Sequence, residues 1–364
     1  MALRAIFGTD RIPTEQGNYN PGDAIVGTPL FNIDLPATAS QIWRAADGYM
    51  QVQGNYNYYA SNSTVTKSCA VQLPLKSILG TLHDKQVLVA GIRIKVTSNN
   101  TGVHLKAPNA DGGATFTLIG DSATWPAVGE LGARNTAKEF YVEVKIDVAN
   151  KAVYRRLDGV NLSTLTLPDA FVARFANNQA VNLVLGYPLS YSEGTTTAAN
   201  VQYKDGYLLE KTEDGILSDF LGPQLVKPVT LTAFDAPTYT NNGSSITHLA
   251  ALNTPITTYA SRNAPLVTSD AAESTATAKF TVDTTAKINA IQLFEEGRRL
   301  SGSDSKLKLV VSDGQNTVNG NTANLTDAIT QALGYQAARA PDGAAWTKAK
   351  LEALTVRLTP VTNQ

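Results

Sequence analysis

Four ionisable side chains stand on one side of an alternating run between Lys138 and Asp147: Glu139, Glu143, Lys145 and Asp147, with Tyr141 among them. Two carboxylates projecting from one strand face into a groove are the equipment of a sugar hydrolase, one as acid and the other as base or nucleophile. Lys145 stands between Glu143 and Asp147, however, and an ammonium there favours the charged form of both, the wrong state for a proton donor. The spacing therefore predicts a solvated strand face with cross-strand charge pairing. A second group is Tyr56, Tyr58 and Tyr59, interleaved with Asn55 and Asn57. Aromatic rings on a sheet stack on sugars and amides bond their hydroxyls, so these three tyrosines are candidate glycan contacts; filling of a strand or interface is the other reading.

Other chemistries have little to work with. His83, His104 and His248 share no HxH or HxxxH spacing, and the lone Cys69 excludes an intramolecular disulfide or a CxxC knuckle. There is no GxSxG, GxxxxGK[ST] or GxGxxG. Seven Asp-Gly pairs, beginning at Asp47, Asp111, Asp158, Asp205, Asp214, Asp313 and Asp342, are scattered as tight turns are, not clustered as a calcium loop is. The doublets Arg155-Arg156 and Arg298-Arg299 are too sparse for a nucleic-acid stripe. No catalytic residue, metal or cofactor is expected, and the chain does not read as an enzyme.

The elements that must carry these residues are strands. Phe140, Val142, Val144 and Ile146 alternate with the polar set, the run breaks at Asp147–Lys151, and Ala152-Val153-Tyr154 resumes it: a hairpin. Val87–Thr97, Thr115–Ile119, Val181–Leu185 and Val201–Leu209 repeat the pattern with turn residues between. This predicts an antiparallel jelly-roll sandwich. Beyond it lie strands over Ala276–Val282, Lys287–Phe294, Lys306–Val311 and Val356–Pro360. Short helices are expected over Ala328–Gly334 and Lys348–Leu354, the second capped by Thr347. The fold class is mostly β, a sandwich followed by a second, smaller β-rich domain with one or two short helices. Residues 1–35, broken by proline and glycine, are expected as an extended arm, either a frayed end or a strap for a neighbouring subunit. The sandwich spans 36–222, a connector 223–240 and the second domain 241–364.

With 364 residues the chain is long enough for such a pair of cores. A net charge of −1 draws the whole protein to neither nucleic acid nor an anionic membrane. No apolar run approaches the roughly twenty residues that span a bilayer, so a soluble protein made in the cytoplasm is expected.

Two stretches carry a resemblance. KEFYVEVKIDVANKAVYRRLDGV resembles the central hairpin of concanavalin-like (laminin-G-like) jelly rolls. VQYKDGYLLEKTEDGILSDFLGPQLVKP is similar to a segment of tailed-bacteriophage virion proteins, through Asp205, Tyr207, Leu208, Asp214, Gly215, Asp219, Phe220, Leu221, Gly222 and Val226. Pro341-Asp342-Gly343 with Trp346-Thr347 resembles the closing element of the same proteins, whereas Gly206 departs from the pattern. The resemblance implies a non-enzymatic structural protein of a phage particle (head decoration, neck, tail, baseplate or fibre), self-associating and docked to other virion proteins after assembly in the host cytoplasm. The alternative is a carbohydrate-binding receptor-recognition module holding a host-surface glycan.

Overall fold

Alternation of apolar and polar residues is what sorts this chain into layers. The computed structural model describes residues 1–8, 17–18, 32–34, 40–54, 69–96, 102–108, 114–120, 138–187, 199–235, 239–241, 266–268, 276–297, 305–325 and 330–362. Two compact units divide between Val226 and Lys227.

The first unit contains β1 (Ala2–Phe7), β2 (Gly17–Asn18), β3 (Asn32–Asp34), β4 (Ser40–Arg44), β5 (Met50–Gly54), β6 (Cys69–Pro74), β7 (Val87–Val96), β8 (Gly102–Lys106), β9 (Thr115–Gly120), β10 (Lys138–Asp147), β11 (Ala152–Leu157), β12 (Val160–Asn161), β13 (Leu165–Thr166), β14 (Asn182–Tyr187) and β15 (Ala199–Glu210). Two short helices, α1 (Leu75–Leu79) and α2 (Asp169–Ala176), lie between strands. Ten strands make one antiparallel sheet along β12-β11-β10-β7-β15-β5-β4-β2, with β1 on β15 and β13 on β11. The order β3-β6-β14-β8-β9 makes the other. The result is the expected jelly-roll sandwich. Ala90, Ile92, Val142 and Val144 of the large sheet face Leu73, Val103, Leu183 and Leu185 of the small one, and the space left between them is about 10 Å³. That is room for one water at most, so the interior is core and not a binding site.

The first residues are not the free arm expected over 1–35. Ala2–Phe7 pairs with Gly206–Glu210 of β15, and Ala5 and Phe7 are buried. Burial of that apolar face outweighs the proline and glycine content further along, which says nothing about the first seven residues.

The second unit holds β16 (Thr230–Asp235), β17 (Tyr239–Asn241), β18 (Leu266–Thr268), β19 (Ala276–Thr281), β20 (Ile291–Gly297), β21 (Ser305–Ser312), β22 (Thr317–Asn324), β23 (Thr330–Ala337), the helix α3 (Lys348–Ala353) and β24 (Thr355–Thr362). Five of these strands form the sheet β16-β19-β24-β21-β22, over a core that includes Leu309, Val311, Trp346, Leu351 and Val356. Thr347 caps α3 as expected, its hydroxyl accepting from the Lys350 amide at 3.1 Å. Of the helix expected over Ala328–Gly334, the described residues 330–334 are instead part of β23. Pairing with β20 overrides the local propensity, and Gly334 falls at a bulge between the Leu293–Tyr335 and Phe294–Leu333 pairs rather than at a helix end.

Candidate functional site

The outer face of the large sheet, the side away from the small sheet, is where strand parity collects polar groups. Register puts them in rows across β10, β7 and β15: Glu139–Lys95–Gln202, then Tyr141–Arg93–Lys204, then Glu143–Gly91–Tyr207, then Lys145–Val89–Leu209. Asp205 and Gly206 together oppose the single residue Ile92, a β-bulge on which Asp205 takes a left-handed φ of 54°. The Gly206 that departs from the phage-like pattern is thus the second residue of a bulge. A Cβ on it would strike the Phe7 ring of β1.

The third row is built around a missing side chain. A Cβ on Gly91 would overlap the Tyr207 ring, so only glycine lets that ring lie across β7 and bring its hydroxyl to Glu143. Glu143 is fully buried. Its Oε1 accepts from the Tyr207 hydroxyl and from the Gly222 amide at 2.8 Å, while Oε2 meets no donor. Burial, with the charge of Glu143 beside it, pushes the Tyr207 hydroxyl well above the ordinary phenol range.

Residues 214–226 cover this row as a strap. Leu217 exchanges backbone hydrogen bonds with Met1, and Leu217, Phe220 and Leu221 pack on Val89, Tyr141, Tyr207 and Leu209. Asp219 pairs with Lys145, and the Arg156 guanidinium lies 4.2 Å over the Phe220 ring. The Leu221 amide donates to the Tyr207 hydroxyl at 3.2 Å, and the Val226 amide to Asp205 Oδ1 at 2.9 Å.

Glu139 is exposed and pairs across strands with Arg93, as the solvated-face expectation has it, but the contacts correct that expectation for Glu143, Lys145 and Asp147. Glu143 lies under the strap, Lys145 pairs with Asp219 while lying over the ring of its strand neighbour Tyr154, and Asp147 accepts from the Asn150 amide and side chain in the β10–β11 turn. Alternation assigns a side chain to a face, but it is blind to a distant segment lying on that face.

Beside the strap, Glu139, Arg93, Lys95 and Lys204 of the first two rows stay at least partly exposed while Tyr141 and Gln202 are buried, and the turn Ala45–Tyr49 bounds the far side. Arg93 donates to Glu139 at 2.6 Å and to Asp205 at 3.3 Å, with its guanidinium 5.3 Å from the centre of the Tyr141 ring. Lys95 pairs with Asp47 at 2.7 Å. Lys204 donates only to the Asp47 carbonyl, at 3.0 Å, with its ammonium 4.2 Å over the Tyr49 ring, and it makes no ion pair among the described residues. Partial burial opposes the ionisation of Asp47 and Glu139. For Asp47 it is outweighed by Lys95, the Tyr49 amide and Lys204, and for Glu139 by the Tyr49 hydroxyl, Arg93 and Lys204, so both carboxyls sit below their ordinary values. Burial first, then neighbouring carboxylates, raises the Tyr49 and Tyr141 hydroxyls above the phenol range.

The sequence candidates are otherwise dispersed. Tyr56, Tyr58 and Tyr59 lie outside the described residues, as do His248, Arg298 and Arg299. His104 is buried against Thr117, and His83 is exposed. Among the described residues no three His, Cys, Asp or Glu side chains form a metal cluster, and no helix is long and apolar enough to cross a membrane. Lys204 and Tyr49, which complete the open rows, gave no motif in the sequence. Only the strand register and the fold of the 45–49 turn bring them together.

No protein-family model and no curated protein matches the chain. Among solved structures it aligns with alginate lyase A1-II′ at 10% identity, covering 50% of this chain and 95% of that one with a TM-score of 0.37. Alginate lyase Aly36B, in complex with an alginate trisaccharide, aligns at 12% identity over 58% of this chain and 100% of its own, at 0.31. A sialidase aligns at 10% identity over 59% of this chain and 19% of its own, at 0.30. Two are named as alginate lyases and the third as a sialidase. The expected non-enzymatic role in a bacteriophage particle, as structural part or as receptor-recognition module, is overturned.

Proposed function

We propose that the sandwich unit acts on an acidic polysaccharide, whose uronate carboxylates dock on the open rows of the large sheet. The observation that carries this reading is Lys204, opposite Arg93 in the register, whose ammonium lies over the Tyr49 ring and donates to the Asp47 carbonyl with no ion pair among the described residues. Arg93 and Lys95 are paired with Glu139, Asp205 and Asp47, two cations to three carboxylates, so Lys204 brings the group to charge balance and is the one of the three cations whose own donor bond goes to a carbonyl. Glu139 and Asp47 have about half-exposed side chains, 46% and 43%, and offer acceptors to sugar hydroxyls on either side. Because the cations are held on strands by carboxylates, a carbonyl and aromatic rings, little side-chain freedom is lost on binding.

Cationic groups of this kind also stabilise the charge that grows on a uronate carboxyl when the neighbouring C–H loses its proton, the first step of a β-elimination. Tyr49 and Tyr141 are buried and stay protonated at neutral pH, so neither is assigned to take that proton or to return one. Calorimetric titration of the full chain with polyuronate tetrasaccharides, alginate included, tests the docking. K204A should weaken binding about tenfold, or about 1.4 kcal/mol. The ultraviolet absorbance of an unsaturated product tests cleavage. Failure of the wild type to bind any uronate oligomer, or identical binding by K204A, would sink the reading.

A further inference from the structure

The strap over the third row does for that row what a hydroxyl-rich ligand would do. It presents extended backbone to side chains that belong to strands. The Leu221, Gly222 and Val226 amides donate to Tyr207, Glu143 and Asp205, and the Gln224 carbonyl lies 3.5 Å from the Arg93 guanidinium. Arg93 is therefore shared: one side of it faces the open rows and the other touches the strap. Glu143 Oε2 remains buried without a donor, so the strap satisfies only part of what it covers. Its attachment runs mostly through side chains, with Leu217, Phe220 and Leu221 packed on the sheet and Asp219 paired with Lys145. Among the described residues, its backbone–backbone bonds to the sandwich go to Met1 alone, and Ile216 and Leu225 are 47% and 67% exposed.

We propose that residues 214–226 are an autoinhibitory cover. In the resting chain they occupy a recognition track that continues the open rows from Arg93 to Glu143, and a polysaccharide gains that track when the cover lifts. The proposal rests on the reading of the open rows as a polysaccharide site. On lifting, Glu143, Asp205 and the Tyr207 hydroxyl oxygen become acceptors for sugar hydroxyls, replacing the strap's three amides.

Hydrogen exchange on the full chain reads the cover without any ligand. The amides of Leu221, Gly222 and Val226 should exchange together, on the order of a hundredfold faster than those of Val142 and Val144 in β10. D219A/F220A removes the partners of Lys145 and Arg156; it should speed strap exchange further and tighten binding of the same uronate tetrasaccharides about threefold to tenfold. D219N is the milder variant, and calorimetry shows whether each variant keeps the folded sandwich. Strap amides as slow as those of β10, or a loosened strap with unchanged affinity, overturns the cover while leaving the open-row site standing. Absence of binding by both wild type and loosened variant removes the polysaccharide site, and the proposal with it.

Discussion

Replacing Gly91 by alanine adds one methyl group, and the geometry says where it goes: into the Tyr207 ring. The ring must swing off β7, and its hydroxyl then loses both Glu143 and the Leu221 amide. Overpacking of a well-filled site costs about 1–3 kcal/mol, and unmaking a buried hydrogen bond to a carboxylate adds about 1–2. G91A should therefore destabilise the sandwich unit by about 2–5 kcal/mol, lowering its transition by roughly 10 °C in scanning calorimetry of the full chain. Y207A should cost about 3–5 kcal/mol through the lost ring. The informative variant is G91A/Y207A. With no ring to strike, the added methyl is harmless and the double variant should be no less stable than Y207A, a coupling of about 2 kcal/mol or more. A G91A protein within about 0.5 kcal/mol of wild type, or strict additivity in the cycle, would refute the idea that the missing Cβ positions Tyr207.

Removing residues 2–7 strips β15 of a partner and exposes the ground under Ala5 and Phe7, so the sandwich unit should lose at least about 3 kcal/mol, seen in the same calorimetric transition. T347A removes the cap of α3 and should lower the stability of the second unit by about 1 kcal/mol in urea titration. Asp47 and Glu139 have folded-state values below the ordinary 3.8 and 4.5. Their contribution is complete above those ordinary values and is lost as pH falls through the lowered ones, so the 45–49 turn should keep its exchange protection at pH 5 and above and loosen below about pH 4. Loosening on the alkaline side would contradict that sign.

Much of the sandwich is legible in the sequence because its strands obey one local rule, period-two alternation, and β7, β10 and β15 fall within a few residues of where that rule puts them. The helix α2 is harder to see. Eight residues, with Phe171 and Phe175 buried one turn apart, are too few for a helical period to stand out. The candidate site is legible only in fragments. Asp205, Tyr207, Asp219, Phe220, Leu221, Gly222 and Val226 stand out as a patterned block, and the structure gives each a task in seating the strap. Their targets, Glu143, Lys145 and Arg156, lie about seventy residues away and carry no trace of the pairing in their own surroundings. Contacts of that range follow from tertiary packing, which a single sequence does not record.

β15 changes partners part-way along: Ala199–Tyr203 lies against β5 and Gly206–Glu210 against β1, with the Asp205-Gly206 bulge at the changeover. Each half of that edge thus has its register fixed by a different neighbour, and the extra residue absorbs any mismatch between them. A length change on the β5 side, a one-residue insertion or deletion, is stopped at the bulge and leaves the alignment of Tyr207 on Gly91 and Glu143 as it was. The same change placed on the β1 side turns Tyr207 to the opposite face. Tolerance to such changes is thereby divided at one dipeptide.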